Sequence, residues 1–161
     1  MNVNAVSIDC VHEEIHEGKH YTLNYTKTMD TVTAHTVTIT TPATSAGVIN
    51  LIVGCELTGA GTWTLSSAPE SSGGSSLTSY NNNRNSSATC GCTIAGGVTW
   101  TSAGTVFETH FIGANNPASK TGGMAENRNE WILLPSTKYG IRTTNDAATV
   151  KSSITLYYYV E

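Results

Sequence analysis

Between Thr31 and Thr40 the chain reads TVTAHTVTIT, with Thr31, Thr33, Thr36, Thr38 and Thr40 set around Val32, Ala34, Val37 and Ile39. Two-residue alternation puts the apolar side chains on one face of an extended strand, whereas a helix would scatter them around its axis. β-branched residues also fill a pleated face well. The alternation changes phase near His35, which predicts a bulge or bend there.

The same chemistry runs through all 161 residues: 26 are Thr and 16 are Ser, and Gly and Asn are also plentiful. Charged residues make up 12% and apolar residues 39%, against a charged fraction of about 25% in ordinary soluble domains. Helix formers are sparse, and a surface this neutral suits packing against other protein, where charge is costly to desolvate. A chain of this length buries roughly 70% of its unfolded surface, enough for a core without metals or disulfides.

Further strand stretches fall at Asn4–His12, His20–Thr28, Thr62–Ser67, Thr89–Ala95, Val98–Thr101, Thr105–Ile112, Glu130–Leu134, Lys138–Thr144 and Thr149–Val160, with Val48–Leu57 more continuously apolar, as expected in a sandwich core. Turn residues separate them, as at Glu17-Gly18-Lys19, Thr58-Gly59-Ala60-Gly61 and Pro135-Ser136. The spacing predicts an all-β, single-domain β-sandwich over 1–161, jelly-roll-like, with about nine or ten strands. Residues 1–19 are expected to form an N-terminal strand or arm and a turn, and 69–87 and 113–129 two long polar loops.

Net charge is −4, and no two Lys or Arg are adjacent, so the basic face that phosphate neutralisation needs is missing. No apolar run approaches the roughly 18 residues of a membrane span. The opening residues have no charged segment followed by an apolar one, which predicts synthesis in the cytosol of the producing cell. No nucleic acid and no membrane partner are expected. Cys10, Cys55, Cys90 and Cys92 read as reduced or semi-buried thiols, and Cys90 and Cys92, taken as strand positions, lie too far apart to bridge.

His12-Glu13-Glu14-Ile15-His16 fits the H-E-x-x-H pattern of zinc proteases, which works on a helix that aims two histidines one way. Strand signals flank the segment and Gly18 follows at once, so no such helix is expected. His12, His16 and His20 remain weak metal candidates, as strand positions that could share a face. With three Asp, five His and no G-x-S-x-G, the chain offers little for a catalytic triad. No catalytic residue, cofactor or metal is expected. Trp63, Trp100, Trp131 and Tyr157-Tyr158-Tyr159 sit within strand patterns, which favours packing over a sugar-stacking platform.

Three segments carry a resemblance: Ile15-His16-Glu17-Gly18-Lys19-His20-Tyr21; Asn83-Arg84-Asn85; and Glu130-Trp131-Ile132-Leu133-Leu134 followed by Tyr139-Gly140-Ile141-Arg142-Thr143-Thr144-Asn145. They resemble a family of small proteins encoded among the head genes of tailed bacteriophages, although Ser136-Thr137 stands where that family has Asn-Thr. The resemblance implies a capsid decoration or cement protein on the virion exterior, made in the host cytoplasm. It also implies a homotrimer seated on the major capsid protein. The alternative is a head-fibre or receptor-binding module that adsorbs to glycans. Expected contacts with capsid or neighbouring subunits are His16, Glu17, Lys19, Arg84, Arg128, Trp131 and Arg142, the arginines supplying forked donors to carboxylates or carbonyls.

Overall fold

The computed structural model describes residues 10–30, 33–43, 47–112, 129–146 and 149–161. Among the described residues one short helix, α1 (Cys10–His16), precedes thirteen strands. Eight of these form the body: β1 (His20–Met29), β2 (His35–Thr40), β3 (Ile49–Leu57), β4 (Gly61–Ser67), β10 (Thr105–Ile112), β11 (Glu130–Leu133), β12 (Lys138–Asn145) and β13 (Val150–Val160). The five others are short: β5 (Glu70–Ser72), β6 (Ser75–Ser76), β7 (Tyr80–Asn81), β8 (Thr93–Gly96) and β9 (Thr99–Ser102).

All eight body strands pair antiparallel, and the pairing is nested: β1 with β13, β2 with β12, β3 with β11 and β4 with β10. This gives one sheet ordered β11-β3-β13-β1-β7 and a second ordered β10-β4-β12-β2-β8-β6. First-with-last nesting across two sheets is the jelly-roll scheme. The all-β sandwich expected from the alternation is therefore present. The strand count is corrected from nine or ten to thirteen, because residues 69–87 carry β5, β6 and β7 instead of forming one bare loop. The loop expected over 113–129 lies outside the described residues except for Asn129.

The core follows from the alternation. On β13, Val150, Ser152, Ile154, Leu156 and Tyr158 point inward; on β3, Ile49, Leu51, Val53, Cys55 and Leu57 do the same. Val37, Ile39, Trp63, Leu65, Tyr139 and Ile141 answer them from the facing sheet. The Tyr run divides as a strand requires: Tyr158 is fully buried and stacks on Tyr21, while Tyr157 faces out. Strand β2 is buried on both faces, because β5 and β9 pair with each other and lie across the outer side of its sheet, where Trp100 covers Gly140. A side chain at Gly140 would collide with that indole.

Of the N-terminal strand expected over Asn4–His12, residues 4–9 lie outside the described residues and the end is corrected: Cys10–His16 is helical. The Glu17-Gly18-Lys19 turn is real, but it ends a helix. Lys19 N–H donates to Glu14 C=O at 2.9 Å and Gly18 N–H to Ile15 C=O at 3.0 Å, with Gly18 at φ +73°. That pair of bonds is a Schellman cap, whose left-handed position favours glycine. The thiols are corrected too. Cys90 and Cys92 lie outside the strands, around Gly91 at φ +69°.

Candidate functional site

Two regions on the rim of the sandwich gather the chemistry that the core does not use. The first is the corner where α1 meets β1 and β7, held by three consecutive asparagines. Asn81 Nδ2 donates to Gly18 C=O at 2.7 Å, Asn82 Nδ2 lies 2.7 Å from His20 Nδ1, and Asn83 Nδ2 donates to His16 C=O at 3.0 Å. Asn82 Oδ1 accepts from Thr22 Oγ1 at 2.8 Å. Side-chain amides carry both donors and acceptors, so they can occupy the carbonyls at a helix end and turn the chain at the same time.

Beside these amides, Arg84 is exposed with its guanidinium 5.5 Å from the Tyr80 ring centre, and Lys19 pairs with Glu17 at 2.7 Å. Expected contact residues from two distant stretches, His16, Glu17 and Lys19 on one side and Arg84 on the other, thus share one corner. His20 does not join a metal group. It opens β1, is buried, and loses its Nδ1 to Asn82; burial lowers its pKa. The expectation that His12, His16 and His20 share a strand face is therefore corrected, since the first two sit one turn apart on a helix.

The second region is the seam between edge strands β10 and β11, which belong to different sheets. A register shift between Val106 and Glu108 leaves Phe107 as an extra residue. The resulting bulge turns Phe107 onto Trp131, ring centres 4.8 Å apart, and aims Glu108 inward. The buried Glu108 carboxylate accepts from Trp131 Nε1 at 2.9 Å and Asn129 Nδ2 at 3.2 Å, and lies 2.7 Å from His110 Nε2. The His110 ring stacks on Trp63. Trp131 is thus a half-buried clasp between the sheets.

Glu108→Ala would strand the indole N–H and the Asn129 amide beside a buried gap. A loss of about 1–3 kcal/mol of stability is expected, with a red shift of Trp emission. Equilibrium unfolding followed by fluorescence checks both.

Around this clasp the rim is apolar. Phe111 on β10 is 85% exposed, Ile132 on β11 is 73% exposed and Leu134 just beyond is 66% exposed. Phe111 and Ile132 flank the seam from the outer faces of the two sheets. Sequence reasoning missed them, because Phe111 and Ile132 look like any apolar position in an alternating strand. Only their place on strands that end the two sheets among the described residues shows them as exposed.

The remaining candidates separate from these regions. Arg142 lies on β12, half-buried between Thr36 and Thr64, with no hydrogen bond to its Nε among the described residues. Arg128 lies outside the described residues. A carboxylate beside an imidazole, as in Glu108–His110, needs a nucleophile to do acyl chemistry. Nearby Cys55 is poorly suited: burial first, and the Glu108 charge second, push its pKa far up. Cys90 moves the other way, because the Cys92 thiol and Tyr158 hydroxyl bond to its sulfur, but it too is buried. Among the described residues no three His, Cys, Asp or Glu side chains converge as a metal group, and no helix is long and apolar enough to cross a membrane. In comparisons with known proteins, no family model, no curated protein and no solved structure matches the chain.

Proposed function

We propose that this chain is a virion structural protein, a capsid decoration or cement protein that binds the outer surface of the assembled capsid lattice and stabilises it. The observation that carries the reading is a group of exposed apolar side chains on strands that end their sheets among the described residues: Phe111 on β10, Ile132 on β11 and Leu134 just beyond it. Monomeric proteins seldom expose several large apolar side chains on edge strands, since these invite association. The 12% charged composition extends that character over the chain.

In this reading the major capsid protein is the partner and the working unit is a homotrimer. Threefold closure lets three modest footprints act at once, so that avidity exceeds any single contact. A protein that binds the assembled lattice and not its dissociated subunits stabilises the lattice by mass action, about 2.7 kcal/mol at a hundredfold excess over Kd. The rim supplies buried area, and the corner bearing Arg84, Glu17 and Lys19 supplies polar contacts that fix orientation.

The test is co-sedimentation of the purified protein with expanded capsid shells. Wild type is expected to bind as a species of three times the 17.0 kDa chain and to raise the temperature at which the shells open. The double variant Phe111→Ser/Ile132→Ser, which changes exposed positions only, is expected to lose at least tenfold in affinity. Equal binding by that variant, or binding of wild type to host glycans and not to shells, overturns the reading.

A further inference from the structure

We infer that α1 carries a two-histidine chelate for a divalent transition-metal ion of the nickel or copper type, formed by His12 and His16. The inference is independent of the capsid reading.

The geometry is the main support. His12 and His16 are one helical turn apart, both exposed, with their Nε2 atoms 3.0 Å from each other and ring centres 4.5 Å apart at 73°. Side chains at i and i+4 lie over one another on a helix face. Without an ion, one imidazole N–H must donate to the lone pair of the other. With an ion, both lone pairs can turn to it, because both Nε2 atoms already point to one place. Metal–nitrogen bonds of about 2.05 Å drawn to two nitrogens 3.0 Å apart enclose an angle of about 94°.

That bite favours cis coordination of an octahedral or tetragonal ion. Tetrahedral zinc wants about 109°, which needs the nitrogens about 3.3 Å apart. Octahedral nickel and tetragonal copper want cis ligands near 90°, and imidazole suits both. The described residues offer no third His, Cys, Asp or Glu to the pair. The ion would staple one turn of a seven-residue helix, too short to persist by itself. That turn ends at the His16 carbonyl, which accepts from Asn83 next to Arg84. Metal occupancy would therefore stiffen the corner as well as the helix.

The experiment is calorimetric titration of the full chain with Ni²⁺ alone, then with Zn²⁺, on wild type, His12→Gln and His16→Gln. Both substitutions are at exposed positions, and thermal melting without metal confirms that each variant folds. One Ni²⁺ per chain is expected, bound more tightly than Zn²⁺, with at least a tenfold loss of affinity in each variant. A rise in melting temperature with Ni²⁺ is expected in wild type only. Absence of saturable Ni²⁺ binding, tighter binding of Zn²⁺, a loss smaller than tenfold in either variant, or a nickel-induced melting shift that is absent from wild type or shared by the variants overturns the site.

Discussion

Lowering the pH from 7 to 4 is expected to remove about 3 kcal/mol of stability through one residue, His35. Its side chain is fully buried on β2. Nδ1 lies 2.8 Å from Ser152 Oγ, which in turn lies 2.9 Å from Thr143 Oγ1, so the three tie the facing sheets together inside the core. The Tyr25 ring covers the imidazole at 4.7 Å, and Nε2 has no hydrogen-bond partner among the described residues. Protonation would leave a buried N–H without an acceptor. Burial, with the Lys27 charge adding to it, lowers the pKa from 6.5 to about 4.

Above pH 6.5 the imidazole is neutral in folded and unfolded chains, and the group has no effect on stability. Below that, the unfolded chain takes up a proton that the folded one refuses, and about 1.4 kcal/mol is lost per pH unit down to about 4. Burial lowers the pKa of His20 as well, so it acts in the same direction. Urea unfolding at several pH values checks the slope. In His35→Gln, which can still bond to Ser152, the slope between pH 6.5 and 4.5 should fall sharply even if absolute stability is lower. An equal slope in wild type and variant would assign acid sensitivity to carboxylates instead.

Leu156→Ala is expected to cost about 2–5 kcal/mol, the usual range for emptying a tightly packed leucine site. Leu156 is fully buried on β13, the middle strand of its sheet, between Leu23 on β1 and Val53 on β3. Fixed strands on both sides limit how far the site can collapse around the cavity. Against a typical domain stability of about 5–15 kcal/mol this is a large share. The urea midpoint should fall with little change in slope. Tyr157→Ala, the next residue but outward-facing, should cost much less; equal losses would mean that the inward and outward faces of β13 are misassigned.

The sandwich was legible because alternation is local: in Val150–Val160 each side chain's face follows from its neighbours two residues away. Helix α1 was not, since seven residues hold two turns, and Val11 and Ile15 are too few apolar positions to establish a period. The same Gly18 that suggests a hairpin also suits a helix cap, and only the flanking hydrogen bonds distinguish them. The short strands β5 to β7 were hidden for a related reason. Ser and Gly carry no apolar signal, and their pairing partners lie elsewhere in the chain.

The sequence by itself determined the fold class, the inward residues of the long strands and the lack of a basic face, all properties set by nearest-neighbour patterning and composition. Only the tertiary structure decided which strands became edges, and so left Phe111 and Ile132 exposed. It alone tied Asn83, next to Arg84, to the His16 carbonyl, joined Glu108 to Trp131, and aimed His12 at His16. Each of these depends on where the chain returns in space. Pairing partners far apart in sequence fix that return, and local periodicity carries no record of them.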